Sequence, residues 1–227
     1  MITVHHLEHS RSHRVVWLLE ELGVDYRIVH YPRDPRTGLA PESLRKIHPL
    51  GKSPVVTDGD RTLAESALII EYLARCHGDA DWTRSPGDAD YWDFGFWMHY
   101  AEGSLMPPLL IKLIFSKLRE APVPWLVRPI SSRIADRVEG GFTNPQIETH
   151  FRFVDDQLAG RDWLLGNKPS AADIMLSFPL EAALARGTID REEVPAIAEY
   201  VERFQSRPAY RRALEAGGDY DYGPADH

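Results

Sequence analysis

Residues 51–66, GKSPVVTDGDRTLAES, decide the fold, because they join a Ser-Pro pair, two short strand-like runs and a polar helix start. Asp58–Gly59 is a typical two-residue turn signal between strands, so the stretch predicts an antiparallel hairpin. The amphipathic run SALIIEYLARCHG begins at Ser66 and is expected to form a helix that ends at Gly78. The stretch therefore predicts two antiparallel strands that lead directly into a helix.

The chain before this hairpin has the pattern of a strand–helix–strand unit. Residues 2–4 and 26–31 have strand character, and the segment between them carries a helical apolar stripe that ends at Gly23. A short helix is expected in PESLRKIHP, ending before Pro49. A parallel βαβ unit followed by an antiparallel hairpin is the thioredoxin-like arrangement. Residues 1–80 are therefore predicted to form an α+β, thioredoxin-like domain.

The second part of the chain, predicted as an all-α helical domain over residues 86–220, shows no strand pattern. A stretch rich in Gly, Asp and Pro, HGDADWTRSPGDADYW, predicts a linker before it. Several long helical segments follow, and a kink or break is expected at Pro107–Pro108. The polar tail after Gly217 is expected to fray.

Composition limits the partners and the location of the protein. The 227 residues carry a formal net charge of −8, which disfavours nucleic acid and anionic membranes as partners. No apolar run is long enough to span a bilayer, and the N-terminus lacks the pattern of a signal peptide. The single cysteine, Cys76, is expected to be buried in a helix and suits a reducing compartment. We therefore expect a cytoplasmic protein.

Pro54 has two interpretations. A proline at the first position of an edge strand is structurally tolerated. Alternatively, a cis Ser53–Pro54 bond would turn the backbone amide and carbonyl of Ser53 outward, toward an extended peptide. The residues that follow the hairpin favour this second interpretation.

Glu65 and Ser66 stand where a helix begins, and they also have two interpretations. They could cap the helix, because glutamate near the first turn and serine at the cap both suit the free amides there. They could instead hold a ligand, with Ser66 offering its hydroxyl and amide to a carboxylate and Glu65 pairing with an ammonium. A ligand that carries both groups on one carbon is an α-amino acid, and beside an extended-peptide edge it suggests a γ-glutamyl peptide.

The sequence resembles the glutathione transferase family over nearly its whole length. HSRSHRVVWLLEELGVDY, HPLGKSPVV and LAESALIIEYL occur in the family's order and spacing. LLGNKPSAADIMLSFPL resembles the family's helix-opening box, with Ser170 and Asp173 as a capping box. LEHSRS, HPLG and YAEGSLMPPL together are most similar to the serine-type enzymes of microbes and fungi.

The resemblance implies that glutathione binds at Glu65, Ser66, Ser53 and Pro54, with Lys52 reaching its glycine carboxylate. Lys52 could equally be a solvated loop lysine. The resemblance also implies a homodimer, in which Glu102 approaches the glutathione of the partner subunit.

The resemblance places the catalytic residue in the loop after the first strand, where Ser10 lies four residues before Arg14. Ser12 is the alternative, although it also fits a simple helix cap. A serine hydroxyl is far too weak an acid to lose its proton, so it cannot serve as an alkoxide base. We therefore expect it to donate a hydrogen bond to the glutathione thiolate. The thiolate would then attack a hydrophobic electrophile, as in a detoxification enzyme.

Two further groups of residues carry side chains that are capable of binding or catalysis. His5, His6, Glu8 and His9 are metal-ligand types, but neighbouring strand residues point to opposite faces, so no metal site is predicted. An aromatic stripe could line the electrophile pocket or, more simply, belong to the core or a subunit contact; it comprises Trp92, Phe94, Phe96, Trp97 and Tyr100.

Two other functions stay open at this stage. The same site could serve a glutathione-dependent peroxidase or disulfide reductase. The chain could also be a non-catalytic interaction protein that has kept the fold.

Overall fold

The computed structural model describes residues 1–120 and 128–224, and it divides into a sheet-containing part and a helical part. The strands are β1 (Ile2–Leu7), β2 (Tyr26–Tyr31), β3 (Val55–Asp58) and β4 (Arg61–Ala64). The helices are α1 (Ser12–Leu22), α2 (Glu42–Arg45), α3 (Ser66–His77), α4 (Tyr91–Tyr100), α5 (Met106–Glu120), α6 (Arg128–Val138), α7 (Asn144–Leu158), α8 (Ala171–Ala185), α9 (Pro195–Gln205) and α10 (Pro208–Gly217).

The four strands form one sheet in the order β2-β1-β3-β4. β1 and β2 are parallel and are connected through α1, whereas β3 is antiparallel to both β1 and β4. This is the predicted βαβ unit followed by a hairpin, so the thioredoxin-like prediction is confirmed. β1 is longer than the predicted residues 2–4, because it pairs with β2 over all six of its residues.

Helix α1 follows from its apolar spacing. Val15, Val16, Leu18 and Leu19 are fully buried between the sheet and the helical part. Gly23 ends the helix in the left-handed conformation, with φ of 63°, which a residue without Cβ adopts at little steric cost.

The predicted break at Pro107–Pro108 is wrong, because the chain stays helical from α4 into α5. The alternative, a kink, stays a prediction. A π-helical turn spans Ala101–Leu105 and joins the two helices. A proline in a helix clashes with the carbonyl four residues earlier, which here belongs to Gly103 or Ser104. Both carbonyls lie in the wider π turn, and this position accommodates the proline rings.

The predicted capping box at the start of α8 is confirmed. The carboxylate of Asp173 accepts hydrogen bonds from the backbone N–H of Ser170 at 2.7 Å and its hydroxyl at 2.8 Å. It also accepts from the N–H of Leu164 at 3.0 Å and the hydroxyl of Tyr200 at 2.8 Å. Burial raises the pKa of Asp173, and these four donors oppose that rise.

The tail after Gly217 is ordered against the protein, so the predicted fraying is wrong for residues 218–224. The hydroxyl of Tyr220 donates to the buried carboxylate of Glu181. The guanidinium of Arg186 donates to the hydroxyl of Tyr222, and Gln205 donates to the Tyr222 carbonyl at 3.2 Å. The hydrogen bonds of Tyr220 to a buried carboxylate and of Tyr222 to Arg186 and Gln205 outweigh the polar composition of the tail.

Cys76 is exposed, which contradicts its predicted burial. The buried face of α3 ends at Ala74, and residues 75–77 of its last turn are exposed. The apolar periodicity of α3 therefore extends in the sequence beyond the part of the helix that packs against the core.

The sheet part and the helical part share one hydrophobic cluster. It runs from Ile2 and Val4 of β1 through α1 and α3 to α8 and α10. The division into domains at residues 1–80 and 86–220 stays a prediction, although its boundary falls between α3 and α4.

The substitution Asp173→Ala should lower the free energy of unfolding by about 3 kcal/mol, because it leaves two buried amides and a buried phenol without their acceptor. Ser170→Ala removes only the hydroxyl of the box and should cost about 1 kcal/mol. Denaturant unfolding of both variants measures the difference. Equal losses would contradict a central role for the carboxylate.

Candidate active site

Ser10 lies in the loop between β1 and α1, and it is 7% exposed. The guanidinium of Arg33 holds this loop by donating to the carbonyls of Glu8 at 3.0 Å and His9 at 3.1 Å. His9 has a positive φ of 48°, and its Nδ1 accepts from the backbone N–H of Asp221 at 3.2 Å. The loop is therefore fixed from the sheet side and from the C-terminal tail.

Ser12 is fully buried inside a hydrogen-bonded network beneath Ser10. Its Oγ lies 2.8 Å from the Oγ of Ser10 and 3.0 Å from the Nδ1 of His6. It also accepts from the N–H of Leu7 at 3.3 Å. Burial, together with His30 and His9, lowers the pKa of His6 to about 4, so this imidazole is neutral at pH 7.

The structure brings Ser53 next to Ser10. Their hydroxyl oxygens are 3.4 Å apart, and the Ser53 hydroxyl also donates to the carbonyl of His5 at 3.3 Å. The Ser53–Pro54 peptide bond is cis, as predicted, and Pro54 is buried.

Strand register places the remaining predicted residues at the same edge of the sheet. Val55 pairs with both His5 of β1 and Ala64 of β4. Pro54, which precedes Val55, and Glu65, which follows Ala64, therefore lie at the edge where β1 runs into the loop of Ser10.

Glu65 and Ser66 do not form the side-chain cap that was the alternative interpretation. Glu65 is the residue at the cap position, with φ of 75°, and its side chain makes no capping hydrogen bond. Its carboxylate is exposed, without an ion pair in the part of the chain that the structure describes. Ser66 is buried in the first turn of α3, and Lys52 is exposed.

Glu102 lies in an ion-pair cluster with two arginines of its own chain. The Nε of Arg11 donates to its two carboxylate oxygens at 2.8 and 3.0 Å. The fully buried guanidinium of Arg14 donates to Glu102 and, at 2.7 Å, to the carbonyl of Met175. Burial alone would raise the pKa of Glu102, but Arg14 and Arg11 hold it below its ordinary value. That Glu102 reaches the partner subunit's glutathione stays a prediction.

A cavity of about 370 Å³ opens beside Ser10 between the sheet part and α5, α8 and the tail. Its apolar wall includes Met106, Leu109, Leu113 and Phe178. A second cavity of about 400 Å³ is lined by these same four residues. Ser12 lines neither cavity.

The aromatic stripe does not line the cavity at Ser10, and its interpretation as an electrophile pocket stays a prediction. Phe94, Trp97 and Tyr100 are buried in the core, whereas Trp92 and Phe96 are 81% and 46% exposed. Sequence reasoning missed the face of α5 that lines the cavity at Ser10. The apolar spacing of Met106, Leu109 and Leu113 marks a helix face, but nothing local shows that this face meets Ser10.

The histidines near the N-terminus do not form a metal site. In residues 1–120 and 128–224, no group of three or more His, Cys, Asp or Glu side chains is arranged to hold a metal ion. The same described ranges contain no helix with the length and apolar character that a membrane span requires.

Comparison with known proteins identifies the architecture. The model of the glutathione S-transferase N-terminal domain matches residues 10–76, and that of the C-terminal domain matches residues 143–203. Glutathione S-transferase 1 of Saccharomyces cerevisiae is 36% identical over 223 residues, covering 95% of this chain and 94% of the yeast protein. A disulfide-bond oxidoreductase of Escherichia coli is 28% identical, covering 94% of each chain.

A solved structure has the same fold. The crystal structure of a glutathione S-transferase from Actinobacillus pleuropneumoniae superposes with a TM-score of 0.81 at 34% identity, covering 98% of this chain and 95% of the other. The chain therefore belongs to the glutathione S-transferase family, which confirms both the resemblance and the enzyme class predicted from the sequence.

A histidine outside the site makes stability depend on pH. His13 is fully buried against His6, Tyr210 and Tyr220, and neither ring nitrogen has a hydrogen-bond partner among the described residues. Burial, with a smaller contribution from His6, lowers the pKa of His13 from 6.5 to about 3. Below pH 6.5 the unfolded chain therefore binds a proton that the folded chain does not, and stability falls as the pH falls.

The substitution His13→Phe should remove this loss of stability at low pH, while an aromatic ring stays stacked on Tyr220. The free energy of unfolding of the variant, relative to the parent, should rise by about 1.4 kcal/mol per pH unit as the pH falls from 6 to 4.5. Denaturant unfolding at several pH values measures this slope. Parallel curves for the two proteins would contradict the neutral, buried state of His13.

Proposed function

We propose that the protein conjugates glutathione to hydrophobic electrophiles, with the hydroxyl of Ser10 stabilising the glutathione thiolate. The observation that carries this proposal is the placement of Ser10 on the wall of the cavity, while Ser12 lies buried beneath it. Ser10 is thus the hydroxyl that a sulfur in the cavity can meet.

One hydroxyl and one helix N-terminus can together supply the free energy that is needed to lower the pKa of the glutathione thiol. A free thiol has a pKa of roughly 8.5. Lowering it by about two units requires roughly 2.7 kcal/mol of preference for the thiolate. A hydrogen bond to a charged group supplies roughly 1.5–3 kcal/mol. The N-terminus of α1, two residues after Ser10, adds roughly 0.3–1 kcal/mol. A buried base is therefore unnecessary.

The network beneath Ser10 supports its role as a donor. When the neutral ring of His6 carries its proton on Nδ1, it donates to Ser12, and the Ser12 hydroxyl can donate to Ser10 or to the carbonyl of Leu7. When Ser12 donates to Ser10, the proton of Ser10, which in this structure is directed to Ser53 at 3.4 Å, can turn to an acceptor in the cavity. His6 and Ser12 are positioning residues in this proposal.

We place glutathione along the sheet edge at which the strand ends meet. Glu65 is free to pair with the ammonium of the γ-glutamyl group, and Ser66 with its amide at the start of α3 suits the carboxylate. The backbone of Ser53 beside Pro54 is suited to pair with the extended peptide backbone. Lys52 is suited to bind the glycine carboxylate. This placement brings the sulfur toward Ser10, because Ser53 and Ser10 are in contact.

The electrophile is proposed to occupy the apolar wall formed by α5 and α8, next to Ser10. Apolar contacts of this kind bind many hydrophobic compounds, which suits a cytoplasmic detoxification enzyme. The single cysteine of the chain is also consistent with a reducing compartment.

A second candidate function is glutathione-dependent reduction of disulfides or peroxides at the same site. It is favoured by the similarity to the disulfide-bond oxidoreductase of Escherichia coli, which extends over 94% of both chains. Assays with a chloronitrobenzene, hydroxyethyl disulfide and cumene hydroperoxide separate the two activities.

Replacement of Ser10 by alanine should lower kcat/KM for the conjugation by roughly 10- to 100-fold, because the thiolate loses its hydrogen bond. The pKa of bound glutathione, followed by thiolate absorbance, should rise toward that of the free thiol. Ser12→Ala is the matched control and should lose less activity but more stability, since Ser12 is the more deeply buried and also binds His6 and the backbone of Leu7.

Two results would count against the proposal. Equal activity of the Ser10→Ala and parent proteins would assign the thiolate to another group. Absence of both glutathione binding and activity in the parent protein would favour a non-catalytic interaction protein.

We also propose that the protein is a homodimer that pairs through α3 and α4. A groove of about 600 Å³ between these helices is lined by Leu68, Trp92 and Phe96, all of them substantially exposed. Such a cluster of exposed apolar side chains is typical of a protein–protein contact. Glu102 follows α4 directly, and we propose that its exposed part approaches the glutathione of the partner subunit.

The double substitution Leu68→Glu and Trp92→Glu should convert the dimer to a monomer, because it places carboxylates in the apolar contact. Light scattering after gel filtration measures the mass. Ile130→Glu, which alters an exposed apolar residue of α6, is the control and should leave the dimer intact. A monomeric parent protein would overturn this proposal.

A further inference from the structure

The C-terminal tail contacts the chain on both sides of Ser10. Before Ser10, the Nδ1 of His9 accepts from the backbone N–H of Asp221 at 3.2 Å. After Ser10, the ring of His13 in α1 stacks on the ring of Tyr220, with the two centroids 4.0 Å apart and the planes at 12°. The tail therefore spans the segment of chain that carries the Ser10 hydroxyl.

The backbone conformation of His9 depends on groups outside its loop. Its φ of 48° lies in the left-handed region, which is unfavourable for a residue with a Cβ and persists where neighbouring groups hold it. The guanidinium of Arg33 donates to the His9 carbonyl at 3.1 Å, and the N–H of Asp221 donates to the His9 ring. Because Ser10 is the next residue, the direction of its side chain depends on this conformation.

A buried carboxylate of the helical part anchors the tail. Glu181 of α8 accepts from the hydroxyl of Tyr220, from that of Tyr210 at 2.7 Å, and from the Nε2 of Gln205 at 3.5 Å. Burial raises the pKa of Glu181 to about 7, and these donors oppose that rise. Since a buried carboxylate needs its hydrogen-bond donors, the hydroxyl of Tyr220 is held firmly on α8.

The tail also forms part of the wall of the candidate active site. Asp221 and Tyr222 line the same cavity as His9 and Ser10. The ring of Tyr222 packs edge-on against Phe178, with the centroids 5.8 Å apart. The tail is thus in contact with the loop of Ser10 on one side and with the apolar wall on the other.

We propose that the C-terminal tail positions the Ser10 hydroxyl for the glutathione thiolate, and that His9, Tyr220 and Glu181 are positioning residues for the reaction. The hydrogen bond between Tyr220 and Glu181 fixes the tail on α8, and the tail fixes the backbone on both sides of Ser10. This inference rests on the proposed function, because it acts through the hydroxyl to which we assign the thiolate.

Two substitutions of Tyr220 test the role of the tail. Tyr220→Phe removes the hydrogen bond to Glu181 and keeps a ring on His13, whereas Tyr220→Ala removes both contacts. The kcat for conjugation should fall by about threefold in the first variant and by about tenfold in the second, because Ser10 loses its fixed position. The pKa of bound glutathione, followed by thiolate absorbance, should rise in the same order. The KM for glutathione should change by less than about twofold, since the proposed binding groups are untouched.

Tyr210→Phe is the matched control. It removes a hydroxyl from the same carboxylate, but Tyr210 belongs to α10 and not to the tail. It should lower the free energy of unfolding about as much as Tyr220→Phe does, while the thiol pKa and kcat stay near those of the parent protein. His9→Ala removes the acceptor of the Asp221 N–H and leaves Glu181 untouched, so it should raise the thiol pKa.

A double-mutant cycle separates positioning from a general structural role. In the Ser10→Ala background, Tyr220→Ala should cause no further fall in kcat, because the tail acts through a hydroxyl that is already missing. The loss in the free energy of unfolding should be the same in both backgrounds.

Three outcomes would overturn the proposal. The first is an unchanged thiol pKa and kcat in folded Tyr220→Ala or, if that variant does not fold, in both Tyr220→Phe and His9→Ala. The second is an equal rise of the thiol pKa in Tyr210→Phe and Tyr220→Phe, which would assign the effect to the surroundings of Glu181. The third is an equal fall in kcat in the Ser10→Ala and parent backgrounds.

Hydrogen–deuterium exchange without glutathione distinguishes failure of this inference from failure of the proposed function. The amides of residues 8–13 should exchange faster in Tyr220→Phe and His9→Ala than in the parent protein, and at the parent rate in Tyr210→Phe. If this result holds while Ser10→Ala is as active as the parent protein, the tail positions the loop and only the assignment of the thiolate to Ser10 fails. Unchanged exchange in both variants would overturn the role of the tail whatever the activity.

Discussion

The rest of the structure depends on the buried charge of Arg14. Its guanidinium projects from α1 into the helical part, where it donates to the carbonyl of Met175 and to the carboxylate of Glu102. A guanidinium without solvent access must be paired, because an uncompensated buried charge costs several kcal/mol. The need to satisfy this one group fixes the sheet part against α8 and the π turn after α4. Since Glu102 also binds Arg11, the same cluster fixes the residue next to Ser10.

The candidate active site is assembled from the ends of strands rather than from their middles. The loop after β1, the residue before β3 and the residue after β4 lie at one edge, because His5, Val55 and Ala64 are register partners. The sheet thus fixes the distances between the strand ends, while the loops supply the functional groups. Binding and catalytic residues commonly lie on loops that a rigid scaffold positions. Arg33 and the C-terminal tail then hold the loop of Ser10 in place.

The two parts of the chain contribute different chemistry to the cavity. The sheet part supplies hydroxyls, free amides and the carboxylate of Glu65, which suit a polar peptide. The helical part supplies an apolar wall that includes Met106, Leu109 and Phe178. In the function proposed here, the sheet part binds glutathione and the face formed by α5 and α8 binds the second substrate.

The sequence by itself determined the elements with strong local signals. The hairpin at Asp58–Gly59 and the capping box of Ser170 and Asp173 each depend on residues close together in the chain, and the family motifs placed Ser10 in its loop. For Pro54 the sequence favoured a cis bond over a simple edge-strand proline without deciding between them. Only the tertiary structure decided that Cys76 is exposed, that Tyr220 holds the tail on Glu181, and that α5 rather than the aromatic stripe of α4 faces Ser10. These outcomes depend on contacts between residues far apart in the chain, such as Arg14 with Glu102, and short sequence patterns carry no signal for such contacts.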